Sequence, residues 1–163
     1  MSSPSFRALT ARDSTLLGTA TLANLNWSAV RFTMADVRTR PDFARYTRFV
    51  PTRGDFGFVA MAGQRDIGLV WVLFLPQHDA GYGFVSDQVP ELCLWVHRTE
   101  RGRGLGAALL AMAQAEATAR QLDGLSLSVE AGNRARRLYQ RAGFVHVEGR
   151  EADGIMLWSA IQY

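Results

Sequence analysis

A single mixed α/β domain spanning residues 1–163 is the fold class predicted for this chain, and three observations predict it. An apolar hairpin pattern occupies roughly residues 55–75. Strand, helix, strand and helix patterns alternate after Glu91. Segment 91–130 is the one stretch with the makings of a parallel crossover, because a strand, a helix and a second strand follow one another there. The expected architecture is a mixed, mostly antiparallel sheet of about six or seven strands flanked by about four helices.

Each element has a local reason. "FRAL" near the start is a short strand. From Asp13 to about Leu25, Leu16, Ala20 and Ala23 recur at helical spacing, with Asp13 as expected N-cap. A second helical stretch covers roughly Met34 to Phe49, with Pro41 marking a break or a new start inside it. "DFGFVAMA" (Asp55 to Ala62) and "IGLVWVLFL" flank the turn "GQRD" and read as an antiparallel hairpin. The loop "PQHDAGYGFVSDQVP" leads to the strand "ELCLWVH" (Glu91 to His97). A glycine segment opens a helix that runs to about Leu122. "LSLSVE" (Leu125 to Glu130) is a strand. "NRARRLYQRAG" is a helix with Ala135, Leu138, Tyr139 and Ala142 on one face and Gly143 as its stop. "FVHVEG" and "GIMLWSA" close the chain as two strands. No repeat, low-complexity segment or linker interrupts this order.

Composition excludes several function classes. Apolar residues make up 48% of the chain and charged residues 20%, as in soluble globular domains. No apolar run approaches the ~20 residues that span a bilayer, and the start lacks the pattern of a signal peptide. A cytoplasmic protein is expected, with no membrane partner. Cys93 is the single cysteine, which leaves no disulfide framework and no cysteine-based metal site. All 18 basic residues are arginine, which fits the codon usage of a GC-rich bacterial genome. Net charge is +3 and the arginines are scattered among 15 acids, so no nucleic-acid stripe forms.

The chemistry begins at "RGRGLGA", residues 101–107. A helix N-terminus leaves backbone N–H groups unpaired and carries partial positive charge. Gly102, Gly104 and Gly106 remove the Cβ atoms that would hold an anion away, and Arg101 and Arg103 add charge. The segment, in which residues 101–106, Leu105 included, precede the helix and Ala107 follows them, reads as a cradle for a pyrophosphate. Tight helix-on-sheet packing is the alternative use of Gly104 and Gly106. No GK[ST] follows, so this is not a nucleoside triphosphate loop. A relaxed dinucleotide match exists in Gly102, Gly104 and Ala107, with Glu130 as ribose acid. However, five residues separate the strand from Gly102, and too little chain follows for a second nucleotide-binding half.

R-x-x-G-x-G after a strand, as in "ELCLWVHRTERGRGLGAALL", resembles the GNAT superfamily of CoA-dependent N-acetyltransferases. "LSLSVEAGNRARRLYQRAGF" resembles that family's next strand and helix, with Leu-Tyr and then Gly-Phe. The order of the remaining elements is similar across essentially the whole chain. The resemblance implies a GNAT-like fold, acetyl-CoA as co-substrate, and acetyl transfer to a primary amine of a small molecule or peptide by direct attack through a tetrahedral intermediate. Such a transfer needs a neutral amine, donors for the oxyanion and a proton for the departing thiolate.

By resemblance, Tyr139 is the general acid beside the CoA sulfur; by spacing alone it reads first as a core aromatic. The backbone of Leu94, Trp95 and Val96 is expected to pair with the pantetheine arm, because in the family this strand bulges and splays from its neighbour. Glu91 is the first choice for general base, at the mouth of the acceptor channel, against the plain reading of a solvated strand-end charge. His97 ranks lower because it lies toward the pyrophosphate. Some family members carry a glutamate where this chain has Ser128, so that base is absent here. Asn133 precedes Tyr139 by one residue fewer than the commoner family spacing; it is expected to cap the helix and to touch the cofactor. His78, Asp79 and Tyr82, with Tyr46, Phe49 and Arg53, flank the acceptor side and are expected to set specificity. A non-catalytic acyl-CoA-binding or sensing module is the alternative function, and a homodimer is compatible with both.

Overall fold

A computed structural model describes residues 3–161. Seven strands form one sheet: β1 (Ser5–Ala8), β2 (Phe56–Ala62), β3 (Arg65–Leu73), β4 (Glu91–Val96), β5 (Gly124–Ser128), β6 (Val145–His146) and β7 (Ile155–Ser159). Their order is β1-β2-β3-β4-β5-β7-β6. Five α-helices accompany them: α1 (Ser14–Leu25), α2 (Met34–Thr39), α3 (Pro41–Ala44), α4 (Leu105–Ala119) and α5 (Ala135–Arg141). All strand pairs are antiparallel except β4 with β5, which α4 connects. The expected mixed, mostly antiparallel sheet and its one crossover are therefore both present, and the doubly wound sheet that a dinucleotide site needs is not.

The apolar hairpin earns its place in the middle of the sheet. β3 is buried from Ile67 to Leu73, as a strand covered on both faces must be. Leu69, Trp71 and Leu73 point to α1, Tyr46 and Trp95, while Val70 and Val72 point to Leu109, Leu110 and Phe144 on the α4 side. The same alternation sorts β4: Glu91, Cys93 and Trp95 share the α1 face, and Leu92, Leu94 and Val96 share the α4 face.

One local expectation is corrected and a second is met. Asp13 does precede α1, but its side chain makes no capping bond. Its carboxylate is held instead by Arg7 at 2.9 and 3.0 Å and by the Thr10 N–H at 2.9 Å. The helical stretch from Met34 to Phe49 is divided at Pro41, as expected. Thr33 and Asp36 form a capping box that starts α2, Pro41 starts α3, and a 3-10 turn over Arg45–Thr47 ends the run.

Candidate active site

One feature of the sheet makes room for a ligand. β4 and β5 share a single residue pair, Glu91 with Ser126, next to a hydrogen bond from the Ser126 N–H to the Pro90 carbonyl at 3.0 Å. Beyond that pair the strands part, so the β5 side of Leu92–Val96 has no strand partner among the described residues. On its other side β4 pairs with β3 without a register shift from Glu91 to Val96. The expected splay is therefore present and the expected bulge is not. The Asn24 side chain donates to the Leu94 carbonyl at 3.0 Å from α1.

The splay opens into a groove of ≈ 1770 Å³. Gly102 (φ 77°) and Gly104 (φ 81°) adopt left-handed backbone at one end. A Cβ built on either would meet nothing within 4 Å, so open space lies over both. Gly104 is the N-cap of α4 and contributes no side-chain cap. The first intrahelical bond is Ala108 N–H to the Gly104 carbonyl, which leaves the Leu105, Gly106 and Ala107 N–H groups without helical acceptors. Gly106 serves another purpose: its Cβ would sit 2.9 Å from Leu138 Cδ2, so the close packing of α4 against α5 has room for a larger residue only if the Leu138 side chain moves. Arg101 lines the groove and donates through Nε to the Val96 carbonyl at 3.3 Å. Arg103 does not line it; its Nη1 lies 3.6 Å from Glu100 Oε2.

At the other end sits Glu91. It is 5% exposed, so it is not the solvated strand-end charge, and it lies on the floor of the groove rather than at its mouth. The Gly83 N–H donates to Glu91 Oε1 at 2.5 Å. The Tyr46 hydroxyl lies beside the carboxylate and favours its ionised form, and it accepts the Tyr82 N–H at 2.7 Å. The loop over Glu91 fits only as glycine. A Cβ on Gly81 would lie 2.5 Å from the Tyr46 hydroxyl, and one on Gly83 would lie 2.8 Å from Glu91 Oε1. Burial pushes the Glu91 carboxyl up to about 7, against the opposing pull of these two groups and of Arg45. Burial, with Glu91 nearby, raises the Cys93 thiol well above its ordinary value and keeps it neutral.

Tyr139 lines the same groove from α5 and is 8% exposed. Its ring meets Phe144 edge-on, with centroids 6.0 Å apart. Burial, and then Cys93, raises its phenol, so it carries its proton at neutral pH. Asn133 Oδ1 accepts the Ala135 N–H at 3.0 Å at the start of α5, and the residue also lines the groove. Leu94, Trp95 and Val96 line it along the open edge.

The remaining sequence-derived residues divide. Tyr46 and Tyr82 line the groove; Phe49, Arg53, His78 and Asp79 do not. Phe49 packs into the α1-side core. Arg53 grips buried Asp55, with Nη2 to Oδ2 at 2.6 Å, and Asp55 in turn accepts the Val50 and Phe74 N–H groups. His78 lines a separate surface hollow with Phe74 and Asp87, and Asp79 lies 3.4 Å from Arg45. His97 is occupied by Thr99, Nδ1 to Oγ1 at 2.8 Å. Ser128 Oγ donates to the Asp153 carbonyl at 3.3 Å, and Glu130 pairs with Arg31 at 2.9 Å. Several groove residues escaped sequence reading, among them Asn24, Arg136, Trp27 and Phe32. Asn24 lies seventy positions from its partner, and Arg136 has a buried Nε without a hydrogen-bond partner. Neither has a local signal.

Among the described residues, no helix is long and apolar enough to cross a membrane. A comparison with curated protein sequences returned no match. Solved structures are similar in fold across nearly the whole chain. A GNAT-family acetyltransferase from Staphylococcus aureus Mu50 is 13% identical with a TM-score of 0.71, covering 98% of this chain and 100% of that one. The PaiA N-acetyltransferase from Thermoplasma acidophilum, in complex with coenzyme A, is 17% identical with a TM-score of 0.70, covering 97% and 99%. A GNAT-family acetyltransferase from Brucella melitensis, in complex with acetyl-CoA, is 16% identical with a TM-score of 0.61, covering 96% and 88%. The family model of the acetyltransferase (GNAT) domain matches residues 53–146, which is more than half of the sequence and includes the hairpin, the glycine cradle and α5. This chain belongs to the GNAT acetyltransferase family.

Proposed function

We propose that this chain is one catalytic domain that moves an acetyl group from acetyl-CoA to a primary amine, by direct attack through a tetrahedral intermediate. The observation that carries the reading is the meeting, in one groove, of an open helix N-terminus, an unpaired strand edge, a buried carboxylate and a buried phenol. The residues suit the donor: Gly102 and Gly104 leave space for a diphosphate, and the edge of β4 leaves amides for an amide-bearing arm. The presence of CoA or acetyl-CoA in solved structures of similar fold supports the same donor. When bound, acetyl-CoA supplies an acyl group activated as a thioester.

The chain's own residues then have distinct tasks. Glu91 accepts the proton that the ammonium must lose, and a carboxyl pushed up to about 7 is well matched to that work near neutrality. Tyr139 holds a proton at its hydroxyl for the departing sulfur. Arg101, with the Leu105, Gly106 and Ala107 N–H groups, binds the phosphates, and Arg103 adds positive charge nearby. Backbone N–H groups of Leu94 and Val96, which face away from β3, orient the arm and are available to a developing oxyanion, while that of Trp95 between them faces β3. Asn133 holds the start of α5 against the arm.

Thiol release from acetyl-CoA, measured across a panel of amines, tests the reading. Amine-dependent release is the expected result. CoA binding by calorimetry without release for any amine would instead favour a sensing module.

A further inference from the structure

The acceptor end of the groove has an uneven chemistry. Its cations are already neutralised: Arg31 lies 2.9 Å from Glu130, and Arg40 lies 3.0 Å from Asp42. Arg45, just behind, lies 3.4 Å from Asp79. The acids of these pairs are therefore spoken for. Asp42 also accepts the Tyr82 hydroxyl at 2.7 Å. Across the groove Asp153 is held by Arg150 at 2.8 Å, and Glu151 is exposed at the rim. Glu91 is the one buried acid in the lining among the described residues.

Around that acid the wall is aromatic. Tyr82 is 52% exposed and stacks on Tyr46, with rings 7° from parallel and centroids 6.3 Å apart. Trp27 and Phe32 are half-buried along the same groove. Phe32 meets Phe43 edge-on at 4.8 Å, and the Arg40 guanidinium lies 4.1 Å from the Phe43 centroid. A contact chain thus runs from Glu91 through Tyr46 and Tyr82 to Asp42, Arg40 and the two phenylalanines.

Resting on the acetyltransferase reading above, we propose that the acceptor is a primary monoamine carried on an aromatic-sized apolar body. Its one nitrogen goes to Glu91 and its body lies along Tyr82 and Phe32. Flat rings bury well against such a wall. Apart from Glu151, exposed to solvent at the rim, a second ammonium would find only acids already paired with arginine, and would lose its hydration without a matching gain.

The test measures kcat/KM by thiol release from acetyl-CoA with 2-phenylethylamine, n-butylamine and spermidine. The expected result is at least about a tenfold advantage of 2-phenylethylamine over both others, the scale on which apolar pockets discriminate. Tyr82→Ala is expected to remove most of the advantage over n-butylamine while the CoA dissociation constant stays within about twofold. Tyr82→Phe, which keeps the ring, is expected to retain it. Spermidine turned over as well as 2-phenylethylamine would overturn the monoamine assignment and leave the acetyltransferase reading standing. An unchanged preference in both Tyr82→Ala and Phe32→Ala would overturn the aromatic wall. No release with any amine would remove both readings at once.

Discussion

The backbone N–H of Gly83 donates to Glu91 Oε1 at 2.5 Å, across the eight residues that carry the chain from the loop into β4. This bond holds a nearly solvent-free carboxylate in the floor of the groove. With its carboxyl pushed up to about 7, Glu91 is ionised only as pH rises through neutrality. For wild type, kcat/KM is expected to climb through about pH 7 in a rate-against-pH series. Glu91→Gln is expected to lower it by roughly 100-fold or more and to flatten that limb. An unaltered limb in the variant would take the base role away from Glu91.

The same group leaves a mark on stability. Its folded pKa lies above the ordinary value of 4.5, so the folded state holds the proton more tightly. Glu91 therefore favours folding fully below about pH 4.5, and that contribution is lost as pH rises to about 7. The stability of Glu91→Gln relative to wild type is expected to rise across this window and level off above it. The total gain is at most roughly 3 kcal/mol. Paired denaturant titrations at pH 4, 5.5, 7 and 8 check this; a difference that does not vary with pH would contradict it.

Tyr46 stands between the loop and the acid. Its hydroxyl stabilises the ionised carboxylate and accepts the Tyr82 N–H. Tyr46→Phe removes that hydroxyl, so the alkaline-rising limb of the rate profile is expected to move to higher pH. It also strands the Tyr82 N–H, at a stability cost of about 1–3 kcal/mol. A drop in stability with no movement of the limb would make Tyr46 a packing residue alone.

Gly104 and Gly106 are expected to separate by assay. Gly104→Val adds side chain where nothing lies within 4 Å, so its stability cost is that of a strained φ, about 1–2 kcal/mol. Its CoA affinity is expected to fall at least about tenfold, because the side chain enters the cradle. Gly106→Val strikes Leu138 and is expected to lose more melting temperature. Calorimetry and thermal unfolding on both variants would expose a reversal.

Tyr139→Phe keeps the ring against Phe144 and removes only the phenolic proton. Turnover is expected to fall by about 10- to 100-fold while CoA affinity changes by less than about threefold. Equal losses in both would assign Tyr139 to packing.

Much of the frame was legible because local rules governed it. The buried run from Ile67 to Leu73, the break at Pro41 and the glycines at 102 and 104 each act through their own backbone or neighbours. Glu91 was legible in identity but misplaced in environment. Its burial depends on Gly81 and Gly83 folding back over it and on Tyr46, which lies forty-five positions upstream. Arg53 looked like an acceptor-side cation, yet Asp55 two residues later claims it. Asp13 looked like a cap, yet Arg7 on β1 holds its carboxylate. For Glu91 the deciding partner is distant in sequence, and spacing along the chain carries no record of it. For Arg53 and Asp13 the partner lies two and six residues away, and the choice between it and the expected role is made only when strand and turn bring the two side chains together.

The single residue pair joining β4 to β5 has a mechanical meaning as well as a chemical one. Strands β1 to β4 form one ribbon and β5 to β7 another, and the main-chain stitching between them is nearly confined to one end. Elsewhere the seam is held by side chains, chiefly those of α4 wedged against both ribbons. A molecule lying in the seam and bonding to the bare edge of β4 would serve as a partial eighth strand. Occupancy would then stiffen the whole sheet, and the two ribbons would breathe least when the enzyme is loaded.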